Sequence, residues 1–316
     1  MLSRVADNMY WVARYLERAE HSARLLEVNL NQNLERSPAT ISVSWDEILD
    51  AMHSPLANTG LTSVYEITRA LAFEMKYHAS IVAYIEAARE NARQVREQLS
   101  SEMWEQLNQL YLYAKQTSID DIWHEPMPFF RNIREGSHLF QGITDSTMSH
   151  GEGWQFIQVG RYIERAGLTA QWLNVKMASL NEHIASAEDF QEWVGMLKCC
   201  TAFEAYCKVY TTDVRPSRVA EFLLLNREFP RSIGFCIDQI QQALMEISES
   251  AGLQKNSRVN RLAGKARATV DFGQIDEIMA DGLASFLNGI QEQFLQIHGA
   301  IYQTYITYSI ESALAS

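Results

Sequence analysis

One charged hexad occurs twice in the chain. Arg14-Tyr15-Leu16-Glu17-Arg18-Ala19 returns, 147 positions on, as Arg161-Tyr162-Ile163-Glu164-Arg165-Ala166. Paired guanidinium groups grip carboxylate or phosphate oxygens bidentately, and a Glu beside them can act as a base or hold an ammonium. On this reading Glu17 and Glu164 are candidate catalytic residues, and Arg14, Arg18, Arg161 and Arg165 are candidate substrate-binding residues. The same charges admit a structural reading. Arg14 can reach Glu17 at i,i+3, Arg18 can meet Glu164 and Arg165 can meet Glu17, as an ion network that sets the register of the two copies. Both readings remain open at this level.

Two further groups join the candidate anion contacts. Arg89, Arg93 and Arg96 fall along one face of the segment 89–97, and Arg89 and Arg93 are counted as substrate-binding candidates. The alternative is a solvated helix face held by Glu90–Arg93 and Arg93–Glu97 pairs. Ser232, in the turn Phe229-Pro230-Arg231-Ser232, is counted with the substrate-binding set and is equally a candidate helix N-cap.

Helices must position these groups. The residues Met9, Val12, Leu16, Ala19, Ala23, Leu26 and Leu30 match Phe156, Val159, Ile163, Ala166, Ala170, Leu173 and Met177, all apolar and spaced alternately three and four apart. That is the stripe a helix lays into a bundle, and it puts the charged residues on the opposite face. A weaker echo follows, with Tyr77-His78-Ala79-Ser80-Ile81 against Phe229-Pro230-Arg231-Ser232-Ile233. Two echoes in one order predict an all-α, multi-helix bundle built from two pseudo-symmetric halves of about 150 residues, 1–150 and 151–316, forming one continuous body. Helices are predicted near 3–35, 44–53, 60–76, 79–98, 101–118, 129–142, 152–183, 188–212, 216–226, 231–250, 256–281 and 284–315. Ser3, Ser44, Ser80 and Ser232 are predicted N-caps, with connections at Gly60 and from Asp120 to Pro128.

Composition supports helices and names no chemistry. The 316 residues hold 15 Gly and 6 Pro, about 7% of the chain where roughly 12% is ordinary, so folds rich in tight turns are disfavoured. Twenty-seven basic against 39 acidic residues give a net charge of −12, which argues against nucleic acid or an anionic membrane as partner. No apolar leader-like run opens the sequence, and a soluble cytoplasmic protein is the expectation. Cys199, Cys200, Cys207 and Cys236 lack C-x-x-C spacing and read as buried thiols. Glu135–His138 is the one Glu-x-x-His and has no mate, so no bound metal is expected. Gly151-Glu152-Gly153 is followed by Phe156 where a dinucleotide loop needs Gly, so no cofactor of its own is expected either.

Several segments together resemble the bacterial Alpha-E proteins. They are Ala6-Asp7-Asn8-Met9-Tyr10-Trp11 running into Arg14-Tyr15-Leu16-Glu17-Arg18-Ala19-Glu20, then Ala88-Arg89-Glu90-Asn91-Ala92-Arg93 and Glu102-Met103-Trp104-Glu105-Gln106-Leu107-Asn108. Thr144-Asp145-Ser146-Thr147-Met148, Glu152-Gly153-Trp154, Glu164-Arg165 and Phe229-Pro230-Arg231-Ser232 complete the set, which spans essentially the whole chain. One departure is Tyr77-His78-Ala79-Ser80, where the family more usually has Asn-Pro-x-Ser. The resemblance implies an all-helical domain with a Glu-Arg motif. It also implies genes that neighbour circularly permuted ATP-grasp ligases and transglutaminase-like proteases. The expected role is therefore a component acting with a circularly permuted ATP-grasp protein in peptide synthesis or modification. It would bind a peptide or amino-acid carboxylate or acyl phosphate, with ATP and Mg supplied through the partner ligase. The alternative is a non-catalytic scaffold that docks the ligase.

Overall fold

The structure, a computed structural model, describes residues 1, 3–33, 38–52, 54, 63–77, 79–179, 187–252 and 257–307. Among the described residues there are fifteen α-helices and no strand. They are α1 Ser3–Asn33, α2 Pro38–Ala51, α3 Val64–Phe73, α4 Ile81–Gln94, α5 Ser101–Gln116, α6 Ile119–Ile122, α7 Met127–Thr147 and α8 Glu152–Ser179. There follow α9 Ala187–Cys199, α10 Phe203–Tyr210, α11 Pro216–Leu225, α12 Ile233–Ser250, α13 Arg258–Asp271, α14 Ile275–Asp281 and α15 Leu283–Ile301, which runs into a π-helical turn, Tyr302–Ile306. Gly60 and the stretch beyond Thr307 lie outside the described residues.

α1 and α8 are the axis of the molecule. They pack against each other; α4, α7 and α9 cover α1, while α12, α15 and α2 cover α8. The predicted stripe of α1, Met9 to Leu30, is wholly buried, and that of α8 is buried from Phe156 to Leu173. The opposite face of α1 is buried too, through Tyr10, Glu17, Glu20, His21 and Arg24, so its charges are enclosed by a second layer. One apolar core runs from Val5 to Ile301. The helices close in at Gly160, where a Cβ would sit 2.3 Å from the Tyr10 carbonyl oxygen, so no side chain fits.

Local chemistry accounts for several boundaries. Ser80 and Ser232 cap α4 and α12, each hydroxyl accepting from the backbone N–H three residues on. The predicted cap Ser44 instead lies within α2, where its hydroxyl takes the Asn29 side chain, and Ser3 is the first residue of α1 rather than its cap. The stretch from Asp120 to Pro128, read as a connection, contains α6, held by a Ser118–Asp121 capping box. α7 starts two residues earlier than expected, because proline is accommodated in a first helical turn, and it ends five later, at Thr147. The helix expected over 188–212 breaks at Thr201, at φ 53°, a conformation no Gly announces. The one expected over 256–281 breaks between Phe272 and Gln274.

Candidate functional site

Where α1 crosses α8, each copy of the Glu-Arg motif pairs with the other. Arg165 forks onto Glu17, Nη2 donating to Oε1 at 2.6 Å and Nε to Oε2 at 3.0 Å. Gln141 of α7 donates a third bond to the same carboxylate at 2.8 Å. The turn before α12 closes the pair, since Arg165 Nη1 donates to the Pro230 carbonyl and Arg231 Nη2 donates to Glu20 Oε2 at 2.6 Å. Arg24 also binds Glu20, and His138 Nε2 lies 3.4 Å from it. Glu17 is 1% exposed and Glu20 fully buried. Burial alone would raise both carboxyls. The charges and hydrogen bonds of Arg165 and Arg231 on Glu17, and of Arg231, Arg24 and His138 on Glu20, outweigh it and hold both below the usual range. Beside them His21 is pushed down to about 4, first by burial and then by Arg231, so its ring is neutral.

The reciprocal pair is built differently. Glu164 takes both Arg14, whose Nε donates to Oε2 at 2.5 Å, and Arg18, whose Nε donates to Oε1 at 2.6 Å and whose Nη2 donates to Oε2 at 3.3 Å. Arg14 Nη1 reaches the Tyr10 hydroxyl at 3.1 Å and His298 Nδ1 of α15 at 3.2 Å. A guanidinium can only donate, so Nδ1 is an acceptor and the neutral imidazole carries its proton on Nε2. Burial and then the Arg14 charge hold His298 below its ordinary value. The Arg14 guanidinium lies 4.6 Å from the Trp11 ring centre, and Arg18 lies over Tyr15 and Tyr84. Trp11 Nε1 donates to the Tyr302 hydroxyl, which donates to Asp7, both at 2.5 Å.

This second pair lines a hollow of about 290 Å³ between α1, α8 and α15. Arg14, Glu164 and His298 form its polar end; Ile163, Leu168, Phe294 and Leu295 form an apolar wall. Of the two guanidinium groups on Glu164, Arg14 lines the hollow, and Asp7 stands behind it through Tyr302. Burial would raise the Glu164 carboxyl, but the Arg14 and Arg18 charges and hydrogen bonds bring it below the usual range. Neither repeated carboxylate is therefore set up as a general base, and what the hollow presents to a ligand is the Arg14 guanidinium, a group whose chemistry suits carboxylate or phosphate oxygens.

The sequence-derived candidates separate into those the fold joins and those it does not. Glu17 and Arg165 are buried against each other and do not line this hollow, which speaks against their candidate roles as catalytic and substrate-binding residues. Arg14 turns to Glu164 rather than to Glu17 at i,i+3 because α8 lies alongside. Arg161 points to Asp145 at 3.7 Å, away from the crossed pairs, and Asp145 also takes Trp154 Nε1. Arg89 donates to Asn108 and lies over Tyr111, and exposed Arg93 forks onto Glu90; neither reaches the motif. A groove of about 560 Å³ borders Tyr111 and Glu86, but no motif residue lines it. Ser232 is fully buried and its hydroxyl is spent on the α12 cap and on the Asn226 and Phe229 carbonyls, so it has no bond to offer a substrate.

Other residues at the site were not singled out by the sequence. His298 and Tyr302 lie almost 290 residues from their partners, and no local pattern marks them. Arg231 stood within a quoted motif but without a role. Cys199, Cys200 and Cys236 are buried and Cys207 half-buried; burial raises Cys200 and Cys236 to about 12. Among the described residues, no three His, Cys, Asp or Glu side chains group as metal ligands, and no helix is long and apolar enough to cross a membrane.

Comparison with known proteins places this geometry in a family. An uncharacterised protein of Mycobacterium bovis is 24% identical over 95% of this chain and 36% of its own length. Uncharacterised proteins of two Mycobacterium tuberculosis strains match at 24% and 23% identity with the same coverage. The chain thus spans about a third of the length of these curated relatives. No solved structure matches. The Alpha-E family, described as a predicted alpha-helical domain with a conserved ER motif, matches residues 1–306, which takes in both Glu17-Arg18 and Glu164-Arg165, and the chain belongs to that family.

Proposed function

We propose that this chain is a substrate-binding component acting with a circularly permuted ATP-grasp amide ligase in peptide synthesis or modification. The hollow beside Arg14, Glu164 and His298 receives the carboxylate or acyl phosphate of a peptide or amino-acid substrate, and ATP with Mg is supplied on the partner. The protein is proposed to work in the cytoplasm. The observation that carries the reading is the Arg14 guanidinium at the polar end of a hollow, with its Nη2 unpartnered among the described residues. A buried or half-buried guanidinium over aromatic rings binds carboxylate and phosphate with directional bonds. Glu164 serves to fix the two arginines, and the sequence carries no Gly-rich phosphate loop of its own.

A second reading, a non-catalytic helical scaffold that docks the ligase, is favoured by the sealing of Glu17 and Arg165, which has the form of a structural ion network. In both readings the crossed motif is the trace of two related halves. The test is peptide-dependent ATP turnover by the co-purified ligase, with and without this chain. Arg14→Met is expected to abolish the stimulation while the complex still forms and the melting temperature stays close to that of the parent. Full stimulation by Arg14→Met overturns the binding-site reading and leaves the scaffold.

A further inference from the structure

We infer that the hollow is built for the C-terminal residue of an N-acylated amino acid or peptide whose side chain is apolar and about the size of leucine. This rests on the carboxylate-binding reading above and narrows it to one ligand class.

The polar end has donors to spare, and its one carboxylate, Glu164, is already engaged. The two oxygens of Glu164 already take three guanidinium N–H bonds, and His298 Nδ1 is taken by Tyr10 and Arg14. Arg14 Nη2 has no protein partner among the described residues, and the proton of His298 sits on Nε2. A carboxylate fits these donors, whereas the ammonium of a free amino acid finds Glu164 already held by two guanidinium groups. One uncharged acceptor lies at the flank: Gln291 Nε2 donates to Gln171 Oε1 at 3.0 Å, which leaves Gln291 Oε1 for an amide N–H. An N-acylated α-carbon offers that N–H beside its carboxylate; a plain fatty acid does not.

The rest of the wall is apolar. Leu295 is 69% exposed, and its place on the rim of a hollow shared with Leu168 and Phe294 gives that exposure a use. Space is held open at Gly167, where a Cβ would meet nothing within 4 Å. About 290 Å³ is at the lower edge of the size of ligand sites, room for one residue rather than a long segment.

Calorimetric titration of the intact protein with small probes tests this. N-acetyl-L-leucine is expected to bind saturably. N-acetylglycine is expected to bind ~10-fold or more weakly, because a buried leucine side chain contributes that factor or more. L-leucine and hexanoate are expected to bind weakly, and N-acetyl-L-leucinamide not at all. Gly167→Leu fills the hollow from a half-buried helix position where a Cβ meets nothing within 4 Å, and is expected to abolish binding with the melting temperature unchanged or raised, so that lost binding is not lost folding. If N-acetylglycine equals N-acetyl-L-leucine, the apolar subsite is overturned and the carboxylate site stands. Equal binding of L-leucine or hexanoate overturns the N-acyl requirement. If N-acetyl-L-leucinamide binds as well as the acid, the carboxylate reading itself falls. Unchanged binding by Gly167→Leu, or no binding by any probe, overturns the assignment to this hollow.

Discussion

Glu17 with Arg165 and Glu164 with Arg18 begin as the same two residue types at the same spacing, and the fold gives them opposite surroundings. Around Glu17 the turn Pro230-Arg231 and Gln141 fill every direction, and the carboxylate is 1% exposed. Around Glu164 the second guanidinium comes from Arg14, the Arg18 side chain keeps 27% of its surface, and α15 stands off far enough to leave a hollow. The motif's shared role is to lock α1 to α8. Of the two copies, the Glu164 pair is the one that borders the described hollow. A repeated ion pair is thus a framework, and access sets its two copies apart.

The comparison can be broken most forcefully on the sealed side. Arg165→Met strands Glu17 among buried groups and is expected to cost about 3–5 kcal/mol, measured by urea unfolding. A loss below 1 kcal/mol would show that the pair is not sealed. Gly160→Ala, at the point where the helices touch, places a methyl against backbone that cannot step aside and should cost about 3 kcal/mol in the same measurement.

Acid probes the sealed side through His21. Its folded value, about 4, lies below the unfolded value of 6.5, so the unfolded chain binds the extra proton between them. Stability should therefore fall as the pH drops, by about 2 kcal/mol between pH 7 and 5. The paired carboxylates Glu17 and Glu20, held below their unfolded value of 4.5, add a further loss at lower pH. His21→Gln should flatten the first part of the profile and leave the second. On the open side the effect is smallest. Arg18→Gln leaves Glu164 still paired with Arg14 and should cost about 1 kcal/mol or less. An effect as large as that of Arg165→Met would erase the distinction between the two sides.

The stripes of α1 and α8, the caps Ser80 and Ser232 and the exchange of partners between the two motif copies are legible in the sequence because each depends on spacing along one helix or on the repeat itself. The preference of Arg14 for Glu164 is not, since at i,i+3 Glu17 is an equally good partner until α8 is in place. His298 and Tyr302 carry no local signal at all; they matter only through what α15 brings them against. Thr201 breaks a predicted helix without a glycine or proline at the break, whereas the break after Phe272 falls at Gly273, and Ser44 reads as a cap although its hydroxyl serves Asn29 inside α2. Tyr10, Trp11, Leu25, Ile157 and Trp172 share the charged face and mark it in the sequence as one that a second layer covers or that lines a cleft; which charges are enclosed is set only by the helices that cover it.

The contacts of Tyr10, Trp11 and Asp7 with His298 and Tyr302 span sequence separations of 288, 291 and 295 residues. Closing so long a loop is entropically expensive and slow compared with the local pairing of neighbouring helices. During synthesis α1 must wait, part of its surface unsatisfied, until α15 has emerged. The end of the hollow formed by Arg14 and His298 is consequently among the last features to mature, so a truncated or stalled polypeptide can be largely helical and still lack it.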